Sequence, residues 1–467
     1  ELRLFRDIDG TFSIGTDDEK GPDAGVGDTP LLERLRAEPL NHEETKHLSR
    51  ASVRAATITI VDKVLNQTWR TTDGNISLVR DATRISGFIS AVLDVDGVAT
   101  PVTAMVSHDR DSREVVAQLE LEGMETSTLA QYVPKLEQLT VLRTSVSGSI
   151  GMTLDAEGPV GSVEFDLASD GGEIRLPEYF DEDIKFQRIS VKGRVQDELT
   201  VIEVDEMLLD IGPAIARMNG RILLKEELSL NLVGSFQDFE VDDLVRYWPN
   251  SLGEKARSWI TTRVRGGVVT RGDIRLDVSP EVRVERGLKN EAVDLRFEFK
   301  DVSTRYLDSM PKLVGATGSA RISGGEISLV VDEARIGEIA ISEGAVQING
   351  LNQQHKTAHI GFVGSGEVSE ILSVLDRDPY RFARSIGFRS QYVNGLSAAR
   401  IRFDLPLKDT LEPQEVRYAV AANVRDFGVS NVMEDHVISD GDLLIQLDGN
   451  GISCLLYTSD AADEGLG

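Results

Sequence analysis

A single cysteine, Cys454, stands among 467 residues, so no disulfide can form within the chain. Such scarcity fits a reducing cytosol and a cysteine-poor bacterial periplasm equally well, and it does not choose between them. No apolar run approaches the roughly 20 residues that a membrane-spanning helix needs. No basic segment followed by an apolar one marks a secretory leader. The opening residues Glu1-Leu2-Arg3-Leu4-Phe5 already read as the middle of a strand, so the N-terminus is expected to be a truncation. Cations are in deficit: Lys and Arg number 50 against 78 Asp and Glu, a formal net charge of −28. That balance argues against a nucleic-acid partner, because phosphate must be neutralised by clustered cations. It also argues against the whole chain lying on an anionic lipid surface. Proline is scarce at 14 residues while glycine reaches 42, with 40% apolar residues. Strands joined by tight turns have this composition, and disordered chains do not.

Catalytic and metal-binding patterns are also missing. His42 and His47 flank Glu43-Glu44 but are five apart, not the four that a zinc-protease helix requires. His355 and His359 are four apart, but His359 precedes the strand-like Ile360-Gly361-Phe362, and four strand residues span roughly 13 Å. His108 and His436 complete the set of six histidines. Asp7-Ile8-Asp9-Gly10 and Asp94-Val95-Asp96-Gly97 begin like calcium loops but lack the later ligands and the closing glutamate. No phosphate-binding loop, nucleophile elbow or dinucleotide fingerprint occurs. No catalytic residue, metal or cofactor is expected.

What the sequence does carry is period-two alternation. In residues 292–300, Val293, Leu295, Phe297 and Phe299 fall on one face and Asp294, Arg296, Glu298 and Lys300 on the other. Ile327, Leu329 and Val331 repeat the pattern, as do Ile401, Phe403, Leu405 and Leu407. Earlier examples are Ile89/Ala91/Leu93/Val95 and Val163/Phe165/Leu167. Each set predicts a strand with one apolar and one wet face, as in an antiparallel sheet. Asp-Gly pairs at 9–10, 73–74, 96–97, 170–171, 440–441 and 448–449, with Gly324-Gly325 and Asn349-Gly350, predict hairpin turns. One longer helix is predicted over Ser251–Arg265. Ser251 and Glu254 form its capping box, Ala256, Trp259, Ile260 and Val264 its apolar stripe, and Gly266-Gly267 its end.

An internal repeat follows. Gly123–Pro134, Phe239–Pro249 and Gly366–Leu375 each read as a short helix after a strand, with Leu129, Leu244 and Ile371 equivalent. Glu203-Val204-Asp205-Glu206 matches Val330-Val331-Asp332-Glu333 in the strands leading to two of them. A unit of several strands closed by a short helix therefore recurs about three times, which implies a quasi-linear stack. Residues 1–188 read as an N-terminal β-rich region with a loop or helical insertion at about 15–50, and 189–452 as the repeat region. Residues 453–467, from Ser453-Cys454-Leu455-Leu456-Tyr457 onward, break the pattern and resemble translated sequencing-adapter read-through, so they are expected to be a non-native tail.

The block from Tyr247-Trp248-Pro249-Asn250-Ser251-Leu252-Gly253 through Glu254-Lys255-Ala256-Arg257-Ser258-Trp259-Ile260 resembles a signature stretch of YhdP-like proteins of the AsmA superfamily. Tyr306-Leu307-Asp308-Ser309-Met310-Pro311-Lys312-Leu313 is similar to the next block of that family. Asp426-Phe427-Gly428-Val429 and Ile438-Ser439-Asp440-Gly441-Asp442 resemble its C-terminal region. The resemblance covers 190–452 in motifs and the earlier part in style. It implies a non-enzymatic periplasmic protein of repeating β-groove architecture that moves phospholipid between inner and outer membranes. Its implied partners are phospholipid acyl chains, an inner membrane reached through an N-terminal anchor absent from this fragment, and an outer-membrane partner.

The fold expected is therefore mostly β: an extended, twisted antiparallel sheet of repeated β-groove units, with a few short helices. A one-faced sheet must cover its apolar side. Either a second sheet packs on it, or it forms an open trough that holds acyl chains. In the trough reading Val293, Leu295, Phe297, Phe299, Ile327, Leu329, Val331, Ile401, Phe403 and Leu405 are the lining candidates. Periodicity shows which of them share a face, but not what covers it. Two alternatives stay open at this point: an envelope scaffold with a closed β core, and a polysaccharide-active β-solenoid with two carboxylates ~5–9 Å apart.

Overall fold

A computed structural model of the chain describes residues 2–6, 12–16, 47–63, 67–95, 98–112, 114–132, 134–155, 160–196, 200–224, 229–250, 252–284, 287–351, 353–377, 390–408, 412–430, 438–449 and 451–457. Contacts divide the chain into two compact units. Unit 1 is Glu1–Pro177, Glu182–Gly212 and Arg217–Leu232; unit 2 is Glu178–Asp181, Pro213–Ala216 and Val233–Gly467.

Unit 1 is built on strands β1 (Leu2–Arg6), β2 (Phe12–Thr16), β3 (Arg50–Asp62), β4 (Gln67–Arg80), β5 (Arg84–Val95), β6 (Val98–Asp109), β7 (Glu114–Glu125), β8 (Ser145–Asp155), β9 (Val160–Ser169), β10 (Arg188–Gln196) and β11 (Val201–Asp210). From β3 onward each strand pairs antiparallel with the next. β1 pairs antiparallel with β2 and parallel with β3. A helix, α1 (Thr126–Tyr132), leaves β7 without a loop. Thr126, almost fully buried, fastens its start by donating its hydroxyl to the Leu142 carbonyl at 2.6 Å.

Unit 2 follows the same plan. Its main strands are β12 (Val268–Val278), β13 (Val293–Thr304), β14 (Leu313–Ser323), β15 (Glu326–Ile336), β16 (Ile339–Asn349), β17 (Thr357–Glu367), β18 (Val393–Pro406), β19 (Arg417–Val429), β20 (Ile438–Asp448) and β21 (Gly451–Tyr457). They pair antiparallel in chain order. Its helices are α2 (Leu244–Tyr247), α3 (Glu254–Arg263) and α4 (Val368–Leu375). The sheet is open, antiparallel and not closed into a barrel, as expected from the one-sided alternation.

The predicted repeat is visible in the elements. The strands ending at Glu125, Glu240 and Glu367 run directly into helical turns that begin at Thr126, Val241 and Val368. The matched strand segments also adopt the same irregularity. Gly193 and Lys192 of β10 face Val204 and Glu206, leaving Asp205 as the extra residue of a bulge. Gly318 and Thr317 of β14 face Val331 and Glu333, leaving Asp332 in the same role.

The turn assignments divide. Gly324-Gly325 links the paired residues Ser323 and Glu326, with Gly324 at φ +56°, and is a hairpin as predicted. Asp73-Gly74 and Asp440-Gly441 are not hairpins: both lie inside strands, β4 and β20. Asp73 sits at φ +54°, where the register of β4 shifts against β3 and β5. A bulge and a tight turn make the same demand for positive φ, so the dipeptide serves either. Similar shifts recur at Asp301 (φ +58°), Glu343 (φ +47°) and Asp426 (φ +51°).

Helix α3 is shorter than predicted and lacks the predicted cap. It starts after Gly253, whose φ is +60°, and makes no side-chain capping hydrogen bond. Trp259 does not join the apolar stripe and is 45% exposed, while Ala256, Ile260 and Val264 are half-buried. Ser251 lies outside the described residues, as do Asp9-Gly10, Asp96-Gly97, His42, His436 and nearly all of the 15–50 insertion. Of the 453–467 segment, Ser453–Tyr457 pair with β20, and 458–467 lie outside the described residues.

Candidate functional site

The ten lining candidates share one face of unit 2, because antiparallel register carries that face from strand to strand. One row runs Leu295, Ile322, Ile327, Ile348, Ala358, Leu405. The next runs Phe297, Ala320, Leu329, Val346, Ile360, Phe403, Tyr418. Phe299, Gly318, Val331 and Gly344 form part of a third, on which Ile401 pairs with Phe362 and Val420. Val293 adds to the first strand opposite Leu276. From β12 to β19 these rows contain no charged residue.

Cover on this face is unequal. Phe299 and Val331 are buried in a cluster with Ala316, Ala320, Ala334, Ile339 and Ile341, against which Ile371 and Val374 of α4 pack. Val368 and Leu372 of the same helix meet a second cluster, Val393, Val424, Val429 and Leu443. Helix α4 therefore covers the end of the face beyond the bulges. Phe297 and Leu329 border the first cluster. Val293, Leu295, Ile327, Ile401, Phe403 and Leu405 are half-buried and belong to neither cluster. Among the described residues of unit 2 itself there is no second large sheet to lie on the face. Apart from the main sheet, the described residues of unit 2 form the separate two-residue pairing of Arg283–Val284 with Gly287–Leu288. The candidates are thus one surface with a packed end and a partly covered remainder.

The opposite face is charged and wet. Arg271 donates to Glu298 at 2.6 Å, Arg321 to Asp294 at 3.1 Å and Arg400 to Glu343 at 2.9 Å. Such exposed cross-strand pairs add little stability, at most about 1 kcal/mol each, but they keep this face in water. His359 Nδ1 and Asp404 Oδ1 pair there at 2.5 Å. His355 is exposed in the preceding loop. Among the described residues no group of three His, Cys, Asp or Glu could hold a metal ion.

A family model described as YhdP protein matches residues 63–423. The chain belongs to the YhdP family. The match includes the signature stretches at 247–260 and 306–313, ends before those at 426–429 and 438–442, and reaches back through most of unit 1. YhdP-family proteins are AsmA-like envelope proteins, a non-enzymatic family. No curated protein and no solved structure matches the chain. No helix among the described residues is long and apolar enough to cross a membrane.

The YhdP signature has a structural centre that the sequence did not disclose. Arg257 on α3 has a side chain only 16% exposed. It donates to the Trp248 carbonyl at 3.0 Å and the Val245 carbonyl at 3.0 Å, and reaches the Asp181 carboxylate at 3.4 Å. Asn250 donates from its side chain to Asp181 at 2.7 Å and from its backbone to the Tyr179 carbonyl. The residues 178–181 are thereby latched to the signature helix. Asp181 lies 76 positions from Arg257, and no local pattern announces such a partner.

Unit 1 carries an equivalent apolar face. Its central row is Ile76, Ile89, Ala104, Leu119, Ile150, Phe165, Gly193, Val204. One end differs from the described rows of unit 2. The row Arg80, Ile85, His108, Val115 brings a guanidinium and an imidazole onto this face. Arg110 extends β6 on the same side, its backbone N–H donating to the Thr83 carbonyl. Arg80 is 3% exposed. Burial, with the adjacent charge of Arg110, holds its guanidinium below the ordinary arginine value.

Proposed function

We propose that this YhdP-family chain is a segment of a periplasmic hydrophobic-groove conduit that carries phospholipid between the inner and outer membranes. The observation that carries the reading is the half-covered apolar face of unit 2. Rows of Ile, Leu, Val and Phe cross six or more paired strands without a charge, and helix α4 covers only one end. An apolar face left partly uncovered marks a ligand or partner surface. Acyl chains suit the surface because burial contributes roughly 0.8 kcal/mol per CH₂ and needs no polar complement. The charged reverse face keeps the sheet in the aqueous periplasm while the apolar face holds lipid. Family membership supports the envelope setting, and tethering at the inner membrane belongs to the same proposal.

The variant Leu329→Asp/Phe403→Asp tests it. Both residues lie in one row of the face, so two carboxylates would break the apolar track. Retention of a fluorescent phospholipid should fall, with the far-ultraviolet dichroism of the strands unchanged. Full retention by a folded variant would contradict the reading. Loss of the fold would show that the row is ordinary core.

A further inference from the structure

The apolar face of unit 2 has two unlike ends along its strands. At one end β17 runs into α4, whose Ile371 and Val374 pack on the cluster of Phe299, Val331, Ile339 and Ile341, with Phe362 at its border. The other end is a lip of turns. Gly324-Gly325 follows β14, residues 350–356 join β16 to β17, and the chain leaves β18 at Pro406. The Leu351 N–H donates to the Gly325 carbonyl at 2.8 Å, which ties two of these turns together.

Lys356 stands at this lip. Its carbonyl accepts the Leu407 N–H at 2.8 Å, one step beyond the paired residues Thr357 and Pro406, so the ladder of β17 and β18 continues through it. Strand alternation then puts Lys356 on the apolar face in line with Ala358, Ile360 and Phe362, and Leu407 in line with Leu405 and Phe403. Burial agrees: Thr357 and His359 are exposed, Ala358 is buried, Lys356 is half-buried and Leu407 is 37% exposed. The rows inside the lip carry no charge, so Lys356 is a cation placed where the apolar face meets water. Among the described residues it enters no ion pair. Acidic side chains of the neighbouring strand ends are engaged elsewhere. Glu415 accepts from Lys408 at 2.6 Å, and Asp294 accepts from Arg321 at 3.1 Å and Ser323 at 2.9 Å. A lysine in this position lays its apolar stem on the face and keeps its ammonium group in water.

We infer that the turn lip of unit 2 takes the headgroup end of the lipid, with the Lys356 ammonium on its phosphodiester and the acyl chains running along the strands towards α4. Lysine serves phosphate as a point charge, and the two ends of the face differ as the two ends of a phospholipid do. Length agrees as well. Phe362 lies six residues along the strand from Lys356, roughly 20 Å. One leaflet of a bilayer core is about 15 Å deep, so an acyl chain that starts at the lip ends near the cluster beneath α4. The inference rests on the groove reading above, and the two can fail separately.

The test loads the whole chain with phosphatidylglycerol that carries a photoreactive group either on the headgroup or at the end of one acyl chain, and maps the cross-linked peptides by mass spectrometry. The headgroup probe should label residues 350–356 and 405–408, and the acyl-end probe Phe362 and α4. Lys356→Gln should cut headgroup labelling of the lip about fivefold, the effect of one cation beside a lipid phosphate. Lys356→Arg should restore it. Lys408→Gln, which removes the same charge from the neighbouring position that faces Glu415, should leave it unchanged. Headgroup labels at α4 with acyl-end labels at the lip would overturn the orientation, and so would labels from both probes spread evenly over the face. Undiminished lip labelling in folded Lys356→Gln would overturn the contact and leave the groove standing. No labelling of the face by either probe would remove the groove reading, and the site with it. Excess inorganic phosphate should leave the lip labels in place. If it abolished them while the acyl-end labels persisted, the lip would be a free-anion site and the headgroup assignment would fall.

Discussion

The ring of Phe299 lies over Gly318, its directly paired neighbour on the next strand: a Cβ placed on Gly318 would stand 3.1 Å from Phe299 Cζ and 2.0 Å from the Val330 carbonyl oxygen. Val331 completes the row. Unit 1 repeats the arrangement with Phe165, Gly193 and Val204, where the added Cβ would stand 3.0 Å from Phe165 Cζ and 2.1 Å from the Glu203 carbonyl oxygen. An aromatic ring laid over a cross-strand glycine replaces the contact that the glycine lacks. It also sits at the step before each bulge at Asp205 and Asp332.

Gly318→Ala should therefore destabilise unit 2, because the new methyl group meets backbone as well as a ring. The expected loss is about 1–3 kcal/mol, the usual cost of overpacking, read as a lower urea midpoint. Gly193→Ala should behave alike in unit 1. Gly87, where an added Cβ meets nothing within 4 Å, is the control, and Gly87→Ala should leave the midpoint within about 0.5 kcal/mol.

Arg257 is the second point of leverage. Lysine retains the charge but cannot reach two carbonyls and a carboxylate from one planar group. Arg257→Lys should thus cost about 2 kcal/mol, the scale of hydrogen bonds from a charged donor. Amide exchange should rise at Asn250, whose N–H donates to Tyr179 in the latched segment. Unchanged exchange there would show that the latch does not depend on the guanidinium.

Acid should loosen the hairpins of unit 1. Asp81 is held below the ordinary aspartate value, chiefly by the Arg84 and Thr83 N–H groups, and Asp109 chiefly by the Ser112 N–H. A carboxylate with a lower value in the folded state stabilises the fold above its unfolded value, and that contribution fades as pH falls through the folded one. The urea midpoint should accordingly decline from about pH 4 downward. Asp81→Ala and Asp109→Ala should lower the midpoint at pH 7 and flatten the decline below pH ~4. A decline of equal slope in the variants would assign the acid sensitivity elsewhere.

The apolar faces were legible because side-chain alternation is local. Ten candidates chosen by spacing all fall on one face, and the matched Val-Asp-Glu segments of the repeat share a bulge. What spacing could not supply was cover. It did not separate Phe299 and Val331, buried beneath α4, from Phe403 and Leu405, which remain half-buried. Asp73-Gly74 was misread because bulge and hairpin ask for the same backbone angle. The Trp259 stripe failed because helical period marks a face without showing whether anything packs against it. Asp181 and Arg80 depend on pairings between distant segments, which register alone reveals.

The central claim is that lipid occupies the apolar face of the sheet. Native mass spectrometry with lipid extraction, on residues 1–452 produced in a bacterial periplasm and purified without detergent, tests it most directly. The groove account predicts several co-purifying phospholipids per chain, and fewer in Leu329→Asp/Phe403→Asp. A folded chain that carries no lipid would contradict it, and would mean that protein covers the face.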